Sequence, residues 1–288
     1  MKSIKDDIVF EVREDGRLLD TVRKELNYLP SGKAKSFLEH RMISVDGAVT
    51  SRFDFPVSSG QTVKIKQSAV SSSYASPLPV IYEDEDLLAV CKPAGLLSVA
   101  NEIEKENTAI KLLRDSGIDP LYVVHRLDRD TSGVLLFAKS AEVHDKLKNS
   151  WDEIVKRREY LAVCEGVFAE KSGRRESLLR ETENHIVYSA SYGEGKRAVT
   201  SYEVIKENAR YSYLRVLIET GRKNQIRVHM KELGHPIVGD KKYGGHQSSL
   251  GRLGLHASLL ELVHPKTGET LVIKAAPESR FRLPKEKS

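Results

Sequence analysis

The sequence predicts an α+β fold in two parts: a small N-terminal α/β domain over residues 1–67, and a larger, predominantly antiparallel mixed-sheet domain over residues 80–282. Three observations carry this expectation. Apolar residues recur at helical spacing near the start, and short apolar strand-like runs recur from Val80 onward. Between them SAVSSSYASPLP (68–79), rich in serine and broken by two prolines, has no hydrophobic period and reads as a linker. At 288 residues the chain exceeds one typical domain of roughly 100–200 residues and suits two unequal ones.

The first element is an amphipathic helix over 17–29, where Leu18, Leu19, Val22, Leu26 and Leu29 share a face and Arg17, Arg23 and Lys24 lie mostly off it. A second helix begins with Ser31 as N-cap and buries Ala34, Phe37 and Leu38, leaving Lys33, Lys35, His40 and Arg41 to solvent. In MISVDGAVT, Asp46-Gly47 supplies the two positive-φ positions of a tight type I′ hairpin turn, and QTVKIK then alternates apolar and basic residues as a strand. Helix, helix, hairpin and strand, with basic residues gathered on the second helix and its exit, resemble the S4-type RNA-binding module. The alternative is a small domain with an ordinary solvated basic face.

In the second part, VIYE, LLAVC, YVVHRL, VLLFA, EYLAVCEG, AVTSYEVI, YLRVLIE, LLELVH and TLVIKA read as strands, with helices near 140–151 and 224–233. The lysine-rich end at 283–288 is expected to be a frayed basic tail.

With 40% hydrophobic and 30% charged residues, wholesale disorder is excluded and a packed core is expected. Net charge +5 suits a polyanionic partner without requiring one. Cys91 and Cys164, each in an apolar run, are expected to be buried thiols. No stretch approaches a membrane span and the start lacks a secretory signal, so the expected location is the cytoplasm.

Two segments hold the candidate chemistry. In VVHRLDRDTSGVLLFAKS a polar loop, with Asp128, Asp130, Arg126 and Arg129, lies between strongly apolar strands, where function concentrates. The competing reading is a tight turn in which Asp, Thr and Ser bond nearby amides and Gly133 takes up an awkward dihedral. In TGRKNQIRVHMKELGHPIVGDKKYGG, a helix starting near Asn224 puts Ile226, Met230 and Leu233 on a buried face. Arg222, Lys223 and Arg227 then crowd its N-terminus, where the macrodipole disfavours cations. An anion should answer them: a carboxylate of the fold or an RNA phosphate.

Residues His125 to Gly133, HRLDRDTSG, resemble the signature of RluA-type pseudouridine synthases. Further matches follow in family order: Lys92-Pro93-Ala94-Gly95, Tyr160 in REYLAVCEG, Gly221-Arg222 with Gln225-Ile226-Arg227-Val228-His229, and Leu255-His256-Ala257 with His264-Pro265. The resemblance covers nearly the whole chain, S4-like module included. His125 and the Arg-Val-His ending favour this type over the related one acting on the small ribosomal subunit. Two departures stand out. Lys223-Asn224 replace the usual Thr-His, and Arg158 replaces the usual Lys two residues before the tyrosine; both are expected to leave the catalytic atoms untouched.

The resemblance implies an isomerase that needs no cofactor or metal and converts uridine to pseudouridine in structured RNA. Large-subunit ribosomal RNA is the favoured substrate and transfer RNA the alternative, and the enzyme is expected to act as a monomer. Asp128 would be the catalytic carboxylate, nucleophile or base at the ribose, paired with Arg227 at 2.7–2.9 Å in a charge-assisted bond. Tyr160 would lie against the uracil, with Ile226 and Leu255 as apolar wall. Arg126 would fill the stack vacated by the flipped nucleotide, and His125, Arg222, Lys33, Lys35 and Arg41 would contact RNA. The rival readings are a non-catalytic S4-type RNA-binding protein and a C–N hydrolase using Asp128 and Asp130. A zinc deaminase is excluded because two distant cysteines cannot supply its ligands.

Overall fold

The computed structural model describes residues 8–26, 34, 35, 37, 38, 43–50, 52–65, 78–102, 104–190, 193, 195–247 and 249–284. It divides into two compact units, Met1–Ser76 with Ala100–Thr108, and Pro77–Val99 with Ala109–Ser288.

The first unit contains β1 (Ile8–Glu11), β2 (Gly16–Arg17), α1 (Leu18–Glu25), β3 (Ile43–Val45), β4 (Ala48–Thr50), β5 (Pro56–Val57) and β6 (Thr62–Ile65). Its main sheet runs β1-β6-β3-β4, and β2 pairs with β5. The expected hairpin is present as β3–β4, with Asp46 and Gly47 at φ 47° and 83°, the positive values its tight turn demands. Helix α1 turns Leu18 and Val22 into a core completed by Phe37, Leu38, Ile43, Val63 and Ile65. Residues 34, 35, 37 and 38 are helical. Of the basic residues expected nearby, Lys35 is exposed, its ammonium 5.5 Å from the Phe53 ring centroid. Lys33, His40 and Arg41 lie outside the described residues.

The second unit is built on one large sheet. Its elements are β7 (Val80–Glu83), β8 (Leu87–Lys92), α2 (Ala109–Asp115), β9 (Tyr122–Val123), β10 (Ser132–Ala138), α3 (Ala141–Asn149), α4 (Trp151–Ile154), β11 (Val155–Glu165), β12 (Ser172–Glu181), β13 (Val187–Ala190), β14 (Lys196–Glu207), β15 (Tyr211–Ile218), α5 (Gln225–Glu232), β16 (Leu255–Val263) and β17 (Thr270–Lys274). The strand order is β13-β12-β14-β15-β11-β16-β10-β8-β7, with β17 on β16 and β9 on β10. Strand pairs are antiparallel except β10–β16, which run parallel. Every residue of β10 is buried, as expected of the continuous apolar run VLLFA covered on both faces. Helix α3 starts where the Ser140 hydroxyl accepts the Val143 amide at 3.2 Å, and it packs Val143 and Leu147 against Leu136 and Leu87.

Of the elements that differ from the sequence expectation, three have a plain cause. Strand β12 escapes the pattern because its alternation is carried by charged residues. Arg174 and Glu176 pair on its exposed face, and Glu176 also holds Arg197 of β14. Helix α2 is too short to show a period. The run YVVHRL is strand only at Tyr122–Val123, and from Val124 the chain leaves the sheet as a loop.

Candidate active site

One row of the sheet sets the site. In register across five strands lie Lys92 of β8, Gly133 of β10, Ala257 of β16, Tyr160 of β11 and Val216 of β15. Five segments far apart in sequence therefore meet at one level, directly where the 124–131 loop enters β10. Gly133 is required there. Its φ is 117°, and a Cβ would sit 2.0 Å from the Ala257 carbonyl oxygen. Ser132 ties the same strands: its hydroxyl bonds His256 Nδ1 at 2.7 Å and accepts from Arg252 Nη2 at 2.6 Å. His256 Nε2 faces the Ala275 carbonyl at 2.9 Å and must donate to it, which leaves Nδ1 to accept.

The loop backbone is clamped from the other side by the segment after β8. Lys92 is fully buried, and its ammonium donates to the carbonyls of Pro93 (3.0 Å), Leu96 (2.7 Å) and Arg129 (3.0 Å). Burial brings its pKa down to about 7, against the pull of Asp130 and Asp128. Gly95 donates its amide to the Arg129 carbonyl at 2.9 Å and accepts from Arg129 Nε at 3.1 Å. Ser98 both donates to the Leu127 carbonyl and accepts its amide, each at 3.0 Å. Asp128, between these fixed points, is about one-third exposed (32%). Its open edge is where a substrate can reach it.

Helix α5 brings the facing cation. Gln225 Oε1 accepts from the Thr220 hydroxyl (2.8 Å) and the Arg222 amide (3.0 Å), while its Nε2 donates to the Val199 carbonyl (2.9 Å) and Thr200 Oγ1 (3.0 Å). One turn on, His229 bonds Thr200 at 2.8 Å and Ser177 at 3.0 Å. With this face pinned to β14 and β12, Ile226 and Met230 enter a core with Leu255 and Tyr160, and Arg227 points to a third side.

Arg227 meets Asp128, but not as expected. Its Nη1 lies 3.6 Å from Asp128 Oδ2, beyond the 2.7–2.9 Å of a direct bond. The two-pronged pairing goes to Asp240: Nε and Nη2 each donate to a carboxylate oxygen at 2.7 Å, and Nη1 also donates to Asn224 Oδ1 at 2.9 Å. Although burial alone favours loss of the proton, the bonds to Asp240 hold the guanidinium firmly charged. The crowding of cations at the helix start is answered inside the fold: Asp240 and Asp128 face Arg227, Glu181 pairs with Lys223, and Arg222 donates to the Arg197 carbonyl at 3.1 Å.

Tyr160 is half-buried, and its phenol is pushed up to about 12 by burial, partly offset by Arg158 and reinforced by Asp128; it stays neutral. Behind it a cavity of about 20 Å³ is lined by His125, Arg158, Val134, Ala257, Leu259 and Leu260. That is room for about one water and not for a base. His125 is held in place there: Nε2 accepts the Leu136 amide at 3.0 Å and the ring lies on Trp151. Burial, with Arg158 beside it, lowers its pKa to about 4, so the ring is neutral and positions the loop. Arg126 is exposed and enters no hydrogen bond or ion pair recorded among the described residues.

Residues 86–232 match the family model described as RNA pseudouridylate synthase. The chain belongs to this family. It is an RNA pseudouridine synthase, an isomerase acting on uridine in RNA. The transfer RNA pseudouridine synthase C of Haemophilus ducreyi is 36% identical over 228 residues, covering 72% of this chain and 93% of that one. The ribosomal large subunit pseudouridine synthase D of Pasteurella multocida is 30% identical over 286 residues, covering 89% and 86%. Among solved structures, human RNA pseudouridylate synthase domain containing 1 superposes with TM-score 0.59 at 25% identity, over 69% of this chain and 83% of that one.

In this pseudouridine synthase the two departures from the family pattern do touch the site. Asn224, at φ 54°, bonds Arg227 directly, and Arg158 lines the cavity behind Tyr160 while donating to the Glu219 carbonyl. Sequence reasoning missed Asp240 and quoted Gln225 as part of the family motif without giving it a role. Asp240 stands 13 residues beyond Arg227 in GDKKYGG, a stretch that looks like an ordinary turn. The unanswered cations were the one signal that a carboxylate was owed.

Proposed function

We propose that this enzyme isomerises uridine in large-subunit ribosomal RNA, as a cytoplasmic monomer, with Asp128 as the catalytic carboxylate. The observation that carries the assignment is Asp128, partly open on a clamped loop, with the Arg227 guanidinium 3.6 Å away. The reaction breaks N1–C1′, turns the base and joins C5 to C1′, the C5 hydrogen leaving as a proton while N1 gains one. Asp128 serves it by attacking the sugar or by removing a proton from it, and Arg227, 3.6 Å away, aims the carboxylate. Tyr160 offers a face for stacking and a neutral hydroxyl beside the base, and Ile226 and Leu255 support it from the core. The flipped base would be received beside Asp128, with Arg126 filling its place in the RNA stack.

Ribosomal RNA is favoured over transfer RNA because the ribosomal relative matches 89% of the chain and the transfer RNA relative 72%. The remainder accommodates an N-terminal module of the S4 kind, residues 1–67, joined by 68–79 to the catalytic domain at 80–282. That module would grip RNA through Lys33, Lys35 and Arg41. Pseudouridine mapping of total RNA from cells with and without the protein tests the substrate. A site lost from large-subunit RNA is expected, and loss confined to transfer RNA would reverse the choice.

A further inference from the structure

We propose that Asp240 is a positioning residue for the reaction: it holds one edge of Arg227 so that only Nη1 faces Asp128. This rests on the reading of Asp128 as the catalytic carboxylate.

A guanidinium prefers to meet a carboxylate with two parallel N–H bonds. Arg227 does so with Asp240, through Nε and Nη2 at 2.7 Å each, and not with Asp128. The Asp240 side chain is wholly buried (0% exposed), whereas Asp128 is 32% exposed. Asp240 is itself fixed, because Oδ1 accepts the amides of Lys242 and Tyr243 at 3.1 Å, and the Gly245 amide donates to its carbonyl at 2.8 Å. Asn224 and Tyr243 complete the cradle. Asn224 Oδ1 takes Nη1 at 2.9 Å, Asn224 Nδ2 donates to the Tyr243 hydroxyl at 3.1 Å, and the guanidinium carbon lies 5.1 Å from the Tyr243 ring centroid.

This arrangement has a chemical consequence. One cation is shared between two carboxylates, so Asp128 is oriented without being clamped through both oxygens. A two-pronged bond to Asp128 would occupy the lone pairs the sugar needs and weaken the carboxylate as nucleophile or base. By engaging the Nε/Nη2 edge, Asp240 prevents that collapse. The charged and titratable groups acting on Asp128 are Arg227, Lys92 and Tyr160; altering Asp240 leaves Lys92 and Tyr160 in place and frees Arg227 alone to turn toward Asp128.

The test is Asp240→Asn on the full chain, with pseudouridine formation measured in substrate RNA across pH. The expected result is a fall in kcat of about 100-fold, as for a displaced catalytic group. KM for RNA should hold within severalfold, and the acid limb of the kcat/KM profile should move to lower pH as Arg227 turns its charge onto Asp128. A purely structural role lowers the plateau and leaves the limb in place, and that result, or unchanged kcat, overturns the proposal. Should Asp240→Asn not fold, Asn224→Gly decides the matter. It keeps the left-handed backbone and frees Nη1 for Asp128, so the limb should move in the same direction by a smaller amount; a stationary limb overturns the proposal. Asp128→Asn is assayed in parallel. Turnover by that variant defeats the reading of the site itself, whereas its inactivity leaves the Asp240 variants to judge this inference alone.

Discussion

Replacing Gly133 by Ala tests whether the β10–β16 crossing sets the catalytic loop. The new Cβ would lie 2.0 Å from the Ala257 carbonyl oxygen and 2.7 Å from that residue's C and N, all backbone atoms that no side-chain rotation can clear. Relief requires the parallel pairing of Ser132 with His256 and Gly133 with Ala257 to open by about 1 Å. Holding Ala at φ 117° costs about 1–3 kcal/mol, and the overpacked contact roughly 1–3 more. For a domain of this size each kcal/mol lowers Tm by about 2–4 °C, so a fall on the order of 10 °C is expected in thermal unfolding followed by circular dichroism. Because Asp128 lies just upstream of this strand, a shift near 1 Å should also cost about 100-fold in kcat at a temperature where the variant remains folded. A variant with unchanged Tm and kcat would refute the idea that this close approach governs the loop.

Two other perturbations follow. His125 and His229 each have a folded pKa lowered to about 4 by burial, below the unfolded value near 6.5. The folded state therefore binds fewer protons than the unfolded one between those values. Their stabilising contribution is complete above pH 6.5 and is lost as pH falls toward 4, by about 1–2 kcal/mol each at pH 5. Urea midpoints should drop between pH 7 and 5, and His125→Gln should lessen the drop; equal slopes would count against the assignment. Arg126→Ala should lower kcat/KM on structured RNA by roughly tenfold or more while sparing a uridine already unstacked, since extrusion costs a few kcal/mol. Equal losses on both RNAs would argue against a wedge.

How far the sequence disclosed this molecule depended on what each segment needed to say. Strands such as β8 and β10 are continuous apolar runs and declare themselves, as does the Asp46-Gly47 hairpin. Strand β12 does not, because its pairing partners are charged side chains whose match appears only when β14 lies beside it. The loop carboxylate, the facing arginine and the motif tyrosine were legible as residue types in a familiar order. Their geometry was not. That Lys92, Gly133, Ala257 and Tyr160 share one rung is a fact of register, and register is long-range. The reading of Arg227 as the direct partner of Asp128 was too simple because it overlooked the competing carboxylate of Asp240. The imbalance was visible as three cations at a helix start, but which acid would answer them depended on the return of the chain after α5.

The central claim is that the Asp128 carboxylate performs the chemistry. Its most direct test is single-turnover pseudouridine formation by Asp128→Asn, with RNA affinity measured on the same preparation. The account predicts no detectable product and binding within severalfold of the unaltered enzyme. Product at the normal rate would contradict it.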